Sequence, residues 1–224
     1  MARFLRFWKP FGVLSQFTDR SGRPTLAEYI DVPGVYAAGR LDMDSEGLLL
    51  LTDSGALKTR IADPRHEMRK RYLALVETPP DPAALERLLR GVILRDGPAR
   101  ALTVRSVDAP ALPPRDPAPA PRPGRATGWV ELEIDEGRNR QVRRMLAAVG
   151  SPVLRLLRTA VGPFTLAGLA PGEWVEQSLH APVSGPGVRT PGPRPRRPDD
   201  RRRETRSSTR RRSGVPSSRR RRGS

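Results

Sequence analysis

The stretch GRLDMDSEGLLLLTDSG, residues 39–55, places a group of charged residues directly in front of an apolar run. Asp42, Asp44 and Glu46 follow Arg40 closely, and residues 48–51 are four consecutive leucines. A short apolar run bounded by turn residues is typical of a buried strand. The leucines therefore predict a strand in the core, and the acidic turn lies where that strand begins.

One interpretation of the acidic turn is a calcium loop. Asp42, Asp44, Glu46 and Gly47, with Asp53 at the twelfth position, partly match the EF-hand pattern. That motif needs a helix on each side of the loop, whereas an apolar strand is expected here. Calcium is therefore the weakest of the interpretations.

Two other interpretations of the turn are stronger. It can be an exposed acidic surface whose arginine forms a weak ion pair. It can also be catalytic, because Arg40 and Asp42 are two residues apart on an extended segment and point to the same side. A nearby arginine favours the ionised carboxylate, and an ionised aspartate at the mouth of a buried strand can act as a nucleophile or stabilise positive charge.

The charge of the chain is spread unevenly. The 224 residues carry a net charge of +17, and residues 183–224 contain 15 arginines, three acidic residues and almost no apolar ones. Such a segment cannot bury enough surface to offset the entropy lost on ordering. We therefore expect one folded domain, residues 1–182, followed by a disordered basic tail, residues 183–224. A block of arginines is typical of an arm that binds nucleic acid, although a solvated tail without a dedicated partner is the simpler alternative.

Several classes of site are excluded by composition. The chain has no cysteine, which excludes disulfides, thiolate metal sites and cysteine nucleophiles. No stretch approaches 18 consecutive apolar residues, and the N-terminal segment lacks the apolar core of a signal peptide. We therefore expect a cytoplasmic protein that does not contact membranes.

The predicted elements indicate an α+β domain. Segments with apolar or alternating patterns predict strands, namely FLRFW before Pro10, VYAAGRL, GLLLLTD, KRYLALVET, ALTVRSVDA and WVELEID. Helices are predicted in SGALKTRIADP, in DPAALERLLRGV with Asp81 as N-cap, and in NRQVRRMLAAVG. Seven prolines between Asp108 and Gly128 predict a long surface loop. Strands separated by irregular short helices favour a mixed, largely antiparallel sheet.

The acidic turn and its leucines resemble the active-site motif of the pseudouridine synthases of the RsuA/RluB/RluE/RluF group, which is close to GRLDxx[ST]xGLLLLTxxG. Three other segments resemble further motifs of this family, in the same order: KPFGVLS (9–15), KRYLALV (70–76) and EGRNRQVRRMLAAVG (136–150). The resemblance covers nearly the whole of residues 1–182. It implies the catalytic fold of the pseudouridine synthases.

The resemblance also implies a reaction and the residues that perform it. The enzyme would break the N1–C1′ bond of a uridine in RNA, rotate the base and rejoin it through C5, without a cofactor or a metal. Asp42 would be the catalytic aspartate, by attacking C1′ or by abstracting a ribose proton, and both routes stay open. Tyr72 would stack on the flipped uracil, and Arg143 would pair with Asp42. Arg40 would open the RNA or hold its backbone.

Other charged residues receive roles from the same resemblance. The basic side chains expected to contact the RNA are Lys9, Lys70, Arg140 and Arg144. Asp44 and Glu46 fall at variable positions of the motif, and we expect both at the surface.

The resemblance is closest to the RluE-type enzymes of the group. Many other relatives begin with a small basic RNA-binding domain, whereas this sequence begins directly with the catalytic motifs, and it shares with the RluE-type enzymes a loop like DPRHE (63–67). These features favour a uridine of large-subunit (23S) ribosomal RNA as the substrate, with added RNA affinity from the tail. The open alternatives are the same reaction on small-subunit (16S) ribosomal RNA or tRNA, and a non-catalytic, ribosome-associated RNA-binding protein. We expect a monomer.

Overall fold

The computed structural model describes residues 2–62 and 68–177, which form a sheet with short helices around it. In chain order its strands are β1 (Phe4–Lys9), β2 (Tyr36–Ala37), β3 (Glu46–Thr52), β4 (Lys70–Glu77), β5 (Val92–Leu94), β6 (Gly97–Ala99), β7 (Thr103–Val107), β8 (Thr127–Ile134), β9 (Val153–Val161), β10 (Phe164–Thr165) and β11 (Trp174–Glu176). The α-helices are α1 (Gly55–Ala62), α2 (Pro82–Arg90) and α3 (Gln141–Ala148), and a short 3₁₀ helix spans Leu26–Glu28. The predicted DPRHE loop and the basic tail lie outside the described residues.

The main sheet is mixed and largely antiparallel. Its strand order is β11-β1-β3-β9-β4-β8-β7, with β2 paired to β3 and β10 paired to β9. Every pair in it is antiparallel except β3 with β9, which is parallel. Strands β5 and β6 form a separate hairpin. The predicted α+β class is confirmed.

Strand β3 is buried on both faces, as its run of leucines predicts. Each side chain from Leu48 to Leu51 is 0% exposed. Leu49 and Leu51 belong to the main core cluster, whereas Leu48 and Leu50 pack in a second cluster. Burial of one leucine contributes roughly 1.5–3 kcal/mol. The leucines therefore fix both the strand and the acidic turn that precedes it.

A glycine allows β3 to lie close to β9. Gly47 pairs with Arg158 in the parallel contact and has φ +104°. A Cβ atom at this position would lie 2.3 Å from the carbonyl oxygen of Arg158. Only glycine fits such an approach, and it holds the end of the acidic turn against β9.

The helices begin and end near their predicted signals. The Asp81 carboxylate accepts a hydrogen bond of 2.7 Å from the Ala84 amide, with Pro82 in the first turn of α2. Helix α3 buries Val142, Met145 and Leu146 on the face toward the sheet.

Within residues 2–62 and 68–177, no helix has the length and apolar character needed to cross a bilayer.

The proline-rich segment between β7 and β8 has neither helix nor strand, as predicted. Polar contacts nevertheless attach it to the sheet. The Arg122 amide donates to the Glu77 carboxylate at 2.7 Å, and the Arg155 guanidinium donates to the Pro113 carbonyl oxygen at 3.0 Å. This loop therefore covers the side of the sheet on which Arg155 lies.

Candidate active site

An open pocket of about 350 Å³ lies where the acidic turn enters β3. Its walls come from the turn, the start of β4, the segment before α3, and β9. The charged side chains among its described lining residues are Arg40, Asp42, Lys70, Arg138, Arg140 and Arg158. Five cations face one carboxylate, so the pocket attracts an anionic ligand, and its volume is typical of a small-ligand site.

Asp42 lies on the wall of this pocket. Its side chain is 31% exposed, and Arg40 lines the same pocket, as the two-residue spacing predicts. The nearest ion-pair contact joins Arg140 Nη1 to Asp42 Oδ2 at 3.7 Å. Asp42 is therefore reachable by a ligand while it stays close to positive charge.

The backbone around Asp42 is held by the segment that follows β1. The Leu41 amide donates to Ser15 Oγ at 3.0 Å, and the Ser15 hydroxyl donates to the Leu41 carbonyl oxygen at 2.8 Å. The Gly12 amide donates to the Met43 carbonyl oxygen at 2.8 Å. The KPFGVLS segment therefore fixes the residues on both sides of Asp42.

Tyr72 and Lys70, both on β4, line the pocket. Tyr72 is 7% exposed and belongs both to the main core cluster and to the pocket lining. The pairing of β4 with β9 shifts register next to Tyr72, and such bulges commonly redirect side chains near functional sites. Lys70 Nζ donates to the Asp135 carbonyl oxygen at 3.1 Å. Burial lowers the pKa of the Lys70 ammonium, and the positive charge of Arg158 adds to this effect.

Two arginines at the start of α3 bind the acidic turn through Asp44. Arg140, in a left-handed conformation with φ +49°, donates from both terminal nitrogens to the Asp44 carboxylate at 2.9 Å. Such backbone strain concentrates at functional sites. Burial alone would raise the pKa of Asp44, but the hydrogen bond from Arg140 and the charges of Arg143 and Arg140 outweigh it and lower the pKa. Asp44, which was expected at the surface, is therefore a half-exposed part of the site.

The structure does not pair Arg143 with Asp42. Arg143 Nη2 donates to the Asp44 carbonyl oxygen at 2.7 Å, and Nη1 donates to the Val153 carbonyl oxygen at 3.2 Å. Arg143 lies mostly buried behind the turn, and the carboxylate that it contacts is that of Asp44, at 3.5 Å. Arg140 reaches Asp42 instead, because it precedes the helix and lies on the pocket side.

The prediction that Lys9 contacts RNA is wrong. Lys9 is 0% exposed, and its ammonium donates to the carbonyl oxygens of Pro10 at 2.9 Å and Val13 at 2.7 Å. Burial lowers the pKa of Lys9 to about 7, although the charge of Glu46 acts in the opposite direction. Lys9 thus supports the loop after β1 from inside the protein.

The expectation that Glu46 lies at the surface is also wrong. Its side chain is 4% exposed, and its carboxylate accepts two hydrogen bonds of 2.9 Å from Arg155. A signal was present in the sequence, because Arg155 and Arg158 interrupt the mostly apolar VLRLLRTAV. Arg158, which sequence reasoning missed, donates to the carbonyl oxygens of Leu48 at 2.9 Å and Arg40 at 3.4 Å.

The calcium interpretation does not fit the local structure. Strand β3 begins at Glu46, inside the stretch that an EF-hand would need as its loop. Across residues 2–62 and 68–177, no group of three or more His, Cys, Asp or Glu side chains could hold a metal ion.

Arg144 lies outside the pocket. It donates to both oxygens of the Asp96 carboxylate, at 2.7 and 2.9 Å. The neighbouring Arg138, which does line the pocket, also contacts Asp96, at 3.3 Å. The two arginines therefore join the pocket rim to the tip of the β5–β6 hairpin.

Comparison with known proteins decides the family. A family model described as RNA pseudouridylate synthase matches residues 4–148. The chain belongs to the RNA pseudouridylate synthase family. "Ribosomal large subunit pseudouridine synthase E" of Xanthomonas campestris pv. campestris is 57% identical over 169 residues, which cover 74% of this chain and 90% of that protein. The protein of the same name from Vibrio parahaemolyticus is 48% identical over 173 residues, covering 77% and 73% respectively.

A solved structure agrees with this assignment. "Crystal structure of pseudouridylate synthase" matches with a TM-score of 0.65 and 29% identity, and covers 80% of this chain and 71% of that one. The predicted family, catalytic fold and enzyme class are therefore confirmed. In this pseudouridylate synthase, Asp42 and most of the residues that line its pocket lie within the part of the chain that the family model matches, and only the lining residues on β9 lie beyond it.

Proposed function

We propose that this pseudouridylate synthase isomerises a uridine of large-subunit ribosomal RNA to pseudouridine. The relatives at 57% and 48% identity both carry names that specify the large ribosomal subunit. The excess of cations around the pocket suits an RNA substrate, because cationic side chains that neutralise phosphates release counterions and strengthen binding.

Asp42 is the proposed catalytic group. The observation that carries this proposal is that Asp42 provides the one carboxylate among the described residues of a pocket lined by cations. During the reaction the N1–C1′ bond breaks, the uracil turns and a C5–C1′ bond forms, and the proton lost from C5 is balanced by the proton that N1 gains. A fixed carboxylate beside C1′ can attack that carbon or remove a ribose proton, and in both routes it opposes the positive charge that develops there.

The other pocket residues position the substrate in this proposal. A uridine cannot react while it is stacked in a helix, so it must enter the pocket unpaired or flipped out. The ring of Tyr72 offers a face on which the uracil stacks, and Arg40 and Lys70 hold the adjacent phosphates. Apolar lining residues restrict water around the reacting centre, and these are Leu41, Ile61, Val142, Leu156 and Val161.

Mapping of pseudouridine in cellular RNA tests the proposal. In a strain that lacks the gene, we expect loss of one or very few sites in 23S ribosomal RNA, with restoration by the wild-type gene and no restoration by Asp42→Asn. A lost site in 16S ribosomal RNA or tRNA would overturn the substrate assignment. Loss of no site in any RNA would indicate a non-catalytic RNA-binding protein, and restoration by Asp42→Asn would overturn the role of Asp42.

A further inference from the structure

The β5–β6 hairpin presents an unusual outer face. Along both strands burial alternates, with Val92, Leu94 and Ala99 in the main core cluster. The opposite face carries Ile93 and Pro98, which are cross-strand neighbours. Ile93 is 81% exposed, and the other exposed large apolar side chain of the described residues, Leu89 at 42%, lies four positions earlier. The most exposed large apolar side chain of the described residues therefore lies on the outer face of this hairpin, beside Pro98.

Positive charge surrounds these apolar side chains. Arg95 and Arg100 are both exposed, and neither has an acidic partner within residues 2–62 and 68–177. Asp96, at the tip of the hairpin, is already occupied by Arg144 and Arg138. The outer face therefore combines apolar contact area with uncompensated cations, a combination that suits a polyanion with apolar sugars and bases.

The hairpin is attached to the rim of the catalytic pocket. The Arg138 guanidinium donates to the carbonyl oxygens of Asp96 at 3.1 Å, Gly97 at 3.4 Å and Pro98 at 2.5 Å. Arg138 also lines the pocket, so one side chain spans the two features. Any RNA that inserts a nucleotide into the pocket must continue along the rim on one of its sides.

We propose that the outer face of the β5–β6 hairpin, formed by Ile93, Arg95, Pro98 and Arg100, is a docking surface for the RNA that flanks the target uridine. This inference rests on the proposed function of the neighbouring pocket. Pro98 has no N–H to donate at its strand edge, which disfavours addition of a protein β-strand there. The RNA backbone lies against Arg95 and Arg100, and a sugar or base edge contacts Ile93.

Salt-dependent binding of the full-length chain to unmodified 23S ribosomal RNA transcribed in vitro tests the surface. Each phosphate contact contributes roughly 0.7–0.9 to the slope of log affinity against log salt concentration. We expect Arg95→Gln and Arg100→Gln each to reduce the slope by about that amount, and the double variant to lose both contributions. Ile93→Ser is expected to weaken binding about threefold to tenfold without changing the slope, because an apolar contact releases no counterions.

Arg125→Gln is the matched control. Arg125 is exposed just before β8, and it lies at the end of that strand opposite the pocket. A strand of eight residues spans roughly 26 Å at about 3.3 Å per residue, so this arginine is far from the hairpin tip. We expect the slope of Arg125→Gln to match that of the wild type. The proposal would be overturned if the double variant of Arg95 and Arg100 kept the wild-type salt dependence of binding. It would also be overturned if Arg125→Gln reduced that salt dependence by as much as the double variant does.

Pseudouridine formation in the same samples separates this inference from the proposed function. If binding depends on Arg95 and Arg100 but no pseudouridine forms in the wild-type sample, the docking surface is supported and the proposed function fails. If the wild type forms pseudouridine and the double variant forms it at the same rate with the same affinity, the docking surface alone fails. Thermal unfolding midpoints are expected to stay unchanged, because the altered side chains are exposed.

Discussion

The acidic turn has two sides that use charge in different ways. On the pocket side, Asp42 is 31% exposed and Asp44 is 37% exposed, and Arg140 contacts both. On the buried side, Glu46 is 4% exposed and bound by Arg155, while Lys9 is fully buried nearby. Residues 42 and 46 are four positions apart, yet one faces a ligand site and the other belongs to the interior.

This difference shows how the fold can expose a reactive carboxylate without losing its geometry. An exposed ion pair stabilises a protein by about 1 kcal/mol or less, so the pairs of Asp42 and Asp44 contribute little to folding. A buried charge must be paired, because an uncompensated one is strongly destabilising. We therefore expect changes on the buried side to reduce stability and changes on the pocket side to reduce activity.

The largest effect on stability is expected from Arg155→Met. Removing one partner of a buried ion pair leaves Glu46 uncompensated, which costs about 3–5 kcal/mol of the free energy of unfolding. Chemical denaturation measures this loss. The double variant Glu46→Gln/Arg155→Met is the control, and it should recover most of the loss because no unpaired carboxylate is left at this buried position. A single-variant loss below about 1 kcal/mol would show that the pair is not buried in solution.

A smaller effect is expected from the titration of Lys9. Its pKa of about 7 in the folded protein lies below the ordinary value of 10.5, so the unfolded chain binds more protons between these pH values. The free energy of unfolding should therefore rise with pH in this window, by up to about 1.4 kcal/mol per pH unit from this group. The contribution of Lys70 has the same sign, because its pKa is also lowered.

Lys9→Met isolates the contribution of this lysine. Denaturation of the wild type and of Lys9→Met at pH 7, 8 and 9 should give a steeper rise with pH for the wild type. If the free energy of unfolding rose equally with pH in the two proteins, the lowered pKa of a buried Lys9 would be contradicted.

The smallest effect on stability, with a moderate effect on rate, is expected from Arg140→Gln. This arginine is 45% exposed, so its loss should change the free energy of unfolding by less than about 1 kcal/mol. The rate of pseudouridine formation should fall about tenfold, or about 1.4 kcal/mol in barrier height, because Asp42 and Asp44 lose their shared partner. Arg105→Gln removes another exposed pair, with Glu131, and should leave the rate unchanged. Equal rates of pseudouridine formation for the two variants would show that Arg140 does not contribute to the active site.

Local sequence patterns were sufficient to predict much of the fold. The leucine run predicted β3, and the apolar pattern with Asp81 as N-cap predicted α2. The predicted strand VYAAGRL was too long, since β2 contains only Tyr36 and Ala37. The β5–β6 hairpin was missed, although Asp96-Gly97 is a dipeptide that favours tight hairpin turns.

The site was less predictable, because its polar contacts join distant parts of the chain. Spacing placed Arg40 and Asp42 on one side, and the resemblance assigned Tyr72 to the site, which is where it lies. The burial of Glu46 depends on Arg155, 109 residues later, and no local pattern contains that contact. The same is true of Arg140, whose contact with Asp44 spans 96 residues.

In the proposed reaction, the pocket side of the turn performs the chemistry through Asp42. Single-turnover formation of pseudouridine in 23S ribosomal RNA should be compared for the purified wild type, Asp42→Asn and Asp44→Asn. The two variants remove equal charge two residues apart, and both should unfold within about 1 kcal/mol of the wild type. We expect no detectable product with Asp42→Asn and product, at a reduced rate, with Asp44→Asn. Product formation by Asp42→Asn at a rate equal to or above that of Asp44→Asn would contradict the catalytic role of Asp42.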